Sequence, residues 1–400
     1  MTRQATLVLG TRPELIKLAP IIALLDSEAV VVHTGQHDHE RMSARIAATF
    51  GIHLQHLTTG ADRAANRGAQ LGDMVAALDR HLRADSPAVV VVQGDTTSAL
   101  AGALAANHAD LPLVHVEAGL RSFDRTMPEE HNRVLIDHLA DLCCAPTPLN
   151  RTNLRAEAIP GDRILLTGNT IIEAVHAMLP RPASQTTLLD KYQLAARRYV
   201  LATLHRPENV DHAEILDLLL TQLAAIGVPV ILPLHPRTSR RIDEFGLAHR
   251  LAPLQVIEPL DYPDFLGLAH SAALLISDSG GVQEEASVVK TPIIIVRRST
   301  ERPEIEPTFG LRVTPSRELG ALARQRLADS VQHHHLAEQP SPFGDGTAAQ
   351  RITDAINQLT QPNPCPGETS EVRRSRQPER AEVVDVDLAP DGAGALRLNP

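Results

Sequence analysis

Tryptophan is absent from this 400-residue chain, and aromatic residues make up only 2 % of it. The apolar 43 % must therefore build its cores from Leu, Val, Ile and Ala. Cysteine is scarce too. Three Cys, two of them adjacent at Cys143-Cys144, give neither a disulfide framework nor the paired spacing of a zinc site. The adjacent pair reads as part of a buried strand of small residues. No apolar stretch approaches the ~18 residues of a membrane span. The run after Met1-Thr2-Arg3-Gln4 is too short for a signal-peptide core. These absences predict a soluble, cytoplasmic protein with no membrane partner. Positive charge is also in deficit: the formal net charge is −10, which argues against a general nucleic-acid binder. A small anionic substrate stays compatible, because local Arg and Lys override a weak global field. The chain has no GxGxxG after its first apolar run and no GxxxxGK[ST], which argues against a Rossmann dinucleotide site and a Walker loop.

What the chain does have is alternation. Strand-like and helix-like patterns alternate from residue 5 to about residue 330, the mark of βαβ units and parallel sheets. In the first half, strands are expected at 5–9, 30–33, 88–93, 113–116 and 142–145, with helices at 13–25, 38–50, 65–82, 98–107 and 129–140. The pattern pauses at 180–186, which reads as a linker. It resumes with strands at 199–203, 229–232, 254–257, 273–277 and 292–296. The fold class predicted is α/β, with two doubly wound, Rossmann-like parallel sheets and a cleft between them. The expected domains are 1–180 and 181–346, followed by a helix at 347–361 and a disordered tail at 362–400 rich in Pro, Glu, Arg, Gly and Asp. His333-His334-His335 points in three directions on a helix and reads as a solvated helix end rather than a metal site.

Six apolar runs, at 5–9, 88–93, 112–116, 199–204, 272–277 and 291–297, each lead into a charged or polar cluster. In open α/β sheets, ligands bind just past the carboxyl ends of the strands. Arg12 and Lys17 follow the first run and suit a phosphate at a helix N-terminus. Asp95 follows the run at 88–93, where it serves equally well as a helix cap or as a catalytic acid. Glu117 ends the strand at 112–116, with Glu129 and Glu130 beside His131 and Arg133 a dozen residues later. Clustered carboxylates have their pKa values pushed apart, which supplies both an acid and a base. His205-Arg206 follows the first strand of the second half and suits a diphosphate or a leaving oxygen. Ser279-Gly280-Gly281 form a turn whose backbone N–H groups can cradle phosphate, and Glu285 lies one turn further on. Acids and bases together point to an enzyme acting on a phosphorylated or nucleotide-linked substrate.

The strings GTRPELIKLAP, HTGQH, QGDTTSALA, HVEAGLRS, MPEEHNR, TGNTIIEA, HRPENVD, PLHPRT, ISDSGGVQEEA, RSTERPE and SPFGDGTAAQRI run from Gly10 to Ile352. In this order they resemble the non-hydrolysing UDP-N-acetylglucosamine 2-epimerases, which have a glycosyltransferase-B-like fold. The resemblance implies a homodimer and inversion at C2 of the sugar by elimination and re-addition of UDP, through a 2-acetamidoglucal. It implies no NAD and no metal. It assigns Asp95, Glu117 and Glu129 as acid/base carboxylates and His205 as the group that assists departure and return of UDP. It places Arg12, Lys17, Ser279 and Gly280 on the diphosphate, with Arg206 and Gly281 beside them. It places Glu285 on the ribose, Phe265 near the uracil, and Arg133 and Arg302 on the sugar or the carboxylates.

Some members of that family carry a regulatory second substrate site near a Gln-His segment. Gln36, His37 and His235 are its counterparts here. The residues that follow, Asp38-His39-Glu40-Arg41-Met42, depart from the pattern, and the loop from Arg121 to Glu129 is two residues shorter than in some members. Four rivals remain: a hydrolysing 2-epimerase, a glycosyltransferase of the same fold, a catalytically silent UDP-sugar-binding protein, and a 2-epimerase of another UDP-2-acetamido sugar.

Overall fold

The computed structural model describes residues 4–36, 46–57 and 66–361, without side chains at 330–333. His37, most of the helix expected at 38–50, and the tail from 362 on lie outside the described residues.

Two all-parallel sheets organise the described chain. The first joins β1 (Ala5–Leu9), β2 (Ala29–His33), β3 (Leu54–His56), β4 (Val89–Gln93), β5 (Leu113–Val116), β6 (Leu142–Ala145) and β7 (Ile164–Leu166) in the order β3-β2-β1-β4-β5-β6-β7. The second joins β8 (Val200–Thr203), β9 (Val230–Pro233), β10 (Gln255–Ile257), β11 (Leu274–Ser277), β12 (Ile293–Val296) and β13 (Gly310–Val313) in the order β10-β9-β8-β11-β12-β13. Some central strands are runs of β-branched residues buried throughout, such as Val-Val-Val-Val-Gln in β4 and Ile-Ile-Ile-Val in β12. Such runs suit a sheet covered by helices on both faces. In each sheet the strand order reverses once, between β1 and β4 and between β8 and β11. That reversal opens a crevice at the carboxyl ends, where ligands bind in doubly wound sheets.

One apolar cluster contains Leu7 and Leu9 of β1, Ile171 and Val175 of the connecting helix Ile171–Met178, and Leu275 and Ile293 of the second sheet. The two sheets thus share buried surface. The helix Ala348–Thr360 returns to pack on Arg12–Leu25.

The linker expected at 180–186 is instead the start of a helix, Pro182–Lys191. Proline is favoured at the first helical position, where no N–H is needed. Leu188 is buried, and the helix packs on Tyr262–Ser271. Cys143 and Cys144 are buried in β6, and burial pushes the Cys144 thiol up to about 12.

Candidate active site

Each cluster expected to carry chemistry follows a strand at its carboxyl end. On the first sheet, Asp95 follows β4. It is not the helix cap. Thr96 is, its hydroxyl accepting from Ala99 N–H at 3.0 Å. The Asp95 carboxylate is therefore available to Arg133, whose Nε donates to Oδ2 at 3.1 Å, while Asn132 holds the Asp95 carbonyl at 2.9 Å. Arg133 also donates to Glu130 at 2.6 Å. Glu130 accepts in turn from Ser122 N–H and Phe123 N–H, so it anchors the 121–127 loop. Buried Glu14 accepts from Gly10 N–H, Thr11 Oγ and Thr96 Oγ, binding the loop after β1 to the loop after β4. Burial pushes its carboxyl up to about 7 against these hydrogen bonds.

Glu117, just past β5, sits in a ring of alternating charge. It pairs with Lys17, and Arg302 Nη2 donates to it at 2.8 Å. Those two cations also pair with Glu284, Lys17 at 2.7 Å and Arg302 at 2.6 Å. All four side chains are at most 10 % exposed. Gln93 Nε2 donates to Glu117 at 2.8 Å, and Asn169 Nδ2 to Glu284 at 3.1 Å. Burial opposes the charge on Lys17, but Glu117 and Glu284 outweigh it and hold its pKa above the ordinary lysine value. Burial likewise opposes Arg302, and Glu284, Glu301 and Glu117 outweigh it. Glu301 is buried among Arg302, Arg297, Arg133 and Arg206, which hold it well below the usual carboxylate range despite burial. The backbone at Glu117 is left-handed, with φ of 70°, a conformation that costs a side chain about 1–2 kcal/mol.

On the second sheet, His205 follows β8. Its Nδ1 lies 3.1 Å from Asp278, which also accepts the backbone N–H of His205 and Arg206 and the amide of Asn209. Burial works against charge on Asp278, and the His205 pair and these hydrogen bonds outweigh it, holding the carboxyl below its ordinary value. Nδ1 is thereby fixed, and Nε2 remains for a ligand. Ser279 precedes the helix Gly280–Val289, whose first turn begins at Gly280-Gly281. A Cβ at Gly280 would come within 2.7 Å of Arg302 Nη1 and 2.9 Å of Glu301 Oε1, so a side chain there would displace the Arg302–Glu301 pair. Buried Glu285 faces Tyr262, Glu284, Arg12 and Lys17, and its carboxyl is pushed up to about 7, chiefly by burial. Phe265 packs against the core from the helix Tyr262–Ser271.

Asp95, Glu117, Lys17, Arg133, Arg302, Arg12 and Glu285 thus fall within one connected network, with Arg206 beside Glu301. Glu129 does not join it: it is half-buried in the first turn of Pro128–Leu139 and contacts no other side chain through a hydrogen bond or ion pair among the described residues. Of the second-site counterparts, His235 lies with its ring 5.2 Å from that of His205, while Gln36 accepts from Ser98 N–H and Oγ. Sequence reasoning did not single out Glu284, Glu301, Gln93, Asn169 or Arg297. The run TERPE and the doubled Glu284-Glu285 were the available signals. No group of three or more metal-ligating side chains gathers among the described residues, and no helix there is long and apolar enough to cross a membrane.

Two doubly wound sheets, with charged strand ends joined by buried ion pairs, define an α/β protein of the glycosyltransferase-B type. The profile described as UDP-N-acetylglucosamine 2-epimerase matches residues 24–357. A UDP-N-acetylglucosamine 2-epimerase of Methanococcus maripaludis is 37 % identical over 366 residues, covering 88 % of this chain and 97 % of its own. The crystal structure of the Methanocaldococcus jannaschii UDP-GlcNAc 2-epimerase in complex with UDP-GlcNAc and UDP is 36 % identical with a TM-score of 0.80, over 89 % of this chain and 99 % of that one. The Neisseria meningitidis enzyme bound to UDP-GlcNAc is 28 % identical with a TM-score of 0.80, over 89 % of this chain and 100 % of that one. The chain belongs to the UDP-N-acetylglucosamine 2-epimerase family.

Proposed function

We propose that this protein interconverts UDP-N-acetylglucosamine and UDP-N-acetylmannosamine without net hydrolysis. A carboxylate takes the C2 proton. The C2–H electron pair becomes the C1=C2 bond of a 2-acetamidoglucal as the C1–O bond breaks and UDP leaves with the C1–O electron pair. A second carboxylic acid then protonates C2 on the opposite face, and the UDP oxygen returns to C1. Atoms and electrons balance without a redox partner, so neither NAD nor a metal is needed.

The observation that carries this proposal is that Asp95 and Glu117 end adjacent strands beside cations drawn from both sheets. In this assignment Asp95, Glu117 and Glu129 serve as acid and base. Arg12, Lys17, His205, Ser279 and Gly280 hold the diphosphate, with Arg206 and Gly281 beside them. His205 Nε2 protonates or steadies the leaving oxygen, oriented by Asp278. Glu285 binds the ribose and Phe265 flanks the uracil, while Arg133 and Arg302 steady the sugar or the carboxylates. Burial of the ring around Glu117 keeps water from the glucal. The working unit is a homodimer.

Proton NMR with UDP-N-acetylglucosamine in D₂O, with no cofactor added, tests this. UDP-N-acetylmannosamine with deuterium at C2 of both epimers is expected. Free N-acetylmannosamine plus UDP would assign the hydrolysing reaction instead, and no turnover would overturn the choice of substrate.

A further inference from the structure

Behind the two strand-end carboxylates lies a second, fully enclosed pair. His115 is on β5 and Asp137 on the helix Pro128–Leu139, and both side chains are 0 % exposed. His115 Nδ1 lies 2.7 Å from Asp137 Oδ1, and Nε2 lies 2.8 Å from the carbonyl oxygen of Gly94. A carbonyl oxygen only accepts, so Nε2 carries a hydrogen and donates it. The other Asp137 oxygen accepts from Gly119 N–H at 3.2 Å and from Arg121 Nη2 at 2.7 Å. Arg121 is in turn held by Glu157.

The partners matter more than the pair itself. Gly94 immediately precedes Asp95, and Gly119 follows Glu117 by two residues. One imidazole and one carboxylate are therefore bonded to both loops that carry the strand-end acids. Those loops contain three left-handed residues in close succession, Gly94 at φ 70°, Glu117 at φ 70° and Gly119 at φ 82°. Glycine adopts that region freely, but at Glu117 such a backbone persists only when its surroundings over-determine it. Neither His115 nor Asp137 bonds to Lys17, Arg133 or Arg302, and both are fully buried, so neither acts on a ligand directly.

We infer that His115 and Asp137 are positioning residues for the epimerisation proposed above, bridging the Gly94 and Gly119 loops so that Asp95 and Glu117 stand at a fixed separation. This rests on that assignment of the two carboxylates. Were the pair only a fastener of the fold, its loss would lower stability and leave each folded molecule fully active.

The test compares His115→Phe, which removes both bonds, with Asp137→Asn. In the latter the amide donates to Nδ1 and a neutral ring still donates from Nε2 to Gly94. His115→Asn, too short to bridge, breaks the same tie if phenylalanine prevents folding. Turnover, KM, UDP affinity and folded fraction are measured for each. A loss in kcat per folded molecule of about 10- to 100-fold is expected for the His115 variants, because sub-ångström misplacement acts on the chemical step. KM and UDP affinity stay within about threefold of the parent. Asp137→Asn should recover most of the turnover. Parental kcat per folded molecule in both His115 variants overturns the inference. Asp95→Asn and Glu117→Gln are run alongside: if they retain full turnover, the catalytic assignment itself fails and takes this inference with it. If they are inactive while the His115 variants are not, only the bridge is refuted.

Discussion

Lys17 Nζ, from the helix after β1, stands 2.7 Å from Glu284 Oε2, on the helix after β11. With Glu117 and Arg302 this contact closes a ring in which each carboxylate meets two cations and each cation two carboxylates, half from each sheet. Glu284→Gln leaves Lys17 paired with Glu117 alone and Arg302 with Glu117 and Glu301. Breaking a buried pair costs about 3 kcal/mol or more. Lys17 and Arg302, no longer held by Glu284, also shift against Glu117. Urea unfolding should therefore show the destabilisation, and kinetics a fall in kcat larger than any change in UDP affinity.

Asp95→Asn, Glu117→Gln and Glu129→Gln should each lower turnover about 10²- to 10⁴-fold, with UDP binding nearly intact. Glu129 is the most informative, because it stands apart from the charge network. Near-parental kcat in Glu129→Gln would leave Asp95 and Glu117 as the acid and base.

Gly119→Ala tests the loop that carries Glu117. The residue has φ of 82°, and an added Cβ would lie 2.4 Å from the carbonyl oxygen of Asn150. Real Cβ atoms do not approach so closely, so the loop must move. A loss of about 1–3 kcal/mol in stability is expected, with a fall in kcat as Glu117 shifts. Thermal unfolding and turnover measured on the same preparation check both.

Glu14 links stability to pH. Its carboxyl is raised to about 7 in the folded protein against an ordinary 4.5, chiefly by burial. The folded state keeps this proton longer than the unfolded chain does. The contribution is present in full below pH 4.5, fades as pH rises towards 7, and is constant above. At about 1.4 kcal/mol per unit it amounts to about 3 kcal/mol. Glu285 acts in the same direction. In Glu14→Gln the fall in unfolding free energy between pH 4.5 and 7 should be shallower than in the parent, as denaturant titrations at several pH values would reveal. Equal slopes would remove Glu14 as a source.

The strands that frame the cleft were legible because central parallel strands are near-continuous apolar runs, as in β4 and β12. The edge strands β3, β7 and β13 were not. They are three or four residues long and partly exposed, which makes them hard to tell from loop, although the equally short edge strand β10 was read at 254–257. The helix Pro182–Lys191 was hidden by Pro180 and Pro182, one of which is an N-terminal signal rather than a break. At the site, Asp95, Glu117 and His205 announced themselves by following strands. Glu284 and Glu301 did not, because a Glu inside a helix or loop is ordinarily solvated, and only the tertiary fold brings Lys17 and Arg302 against them. Glu130 and Glu129 illustrate the same limit: adjacent in sequence and alike in chemistry, one is buried on Arg133 and the other is not.

Cys143 and Cys144 have a practical consequence. Both are sealed in β6, and burial holds both thiols well above their ordinary range. A disulfide reagent attacks thiolate, so these sulfurs stay silent while β6 is in place and react when it opens. With Cys365→Ser removing the third sulfur, the rate of colour release becomes a label-free stopwatch for the opening of the first sheet. Read with and without UDP, it reports how strongly nucleotide occupancy keeps that sheet shut.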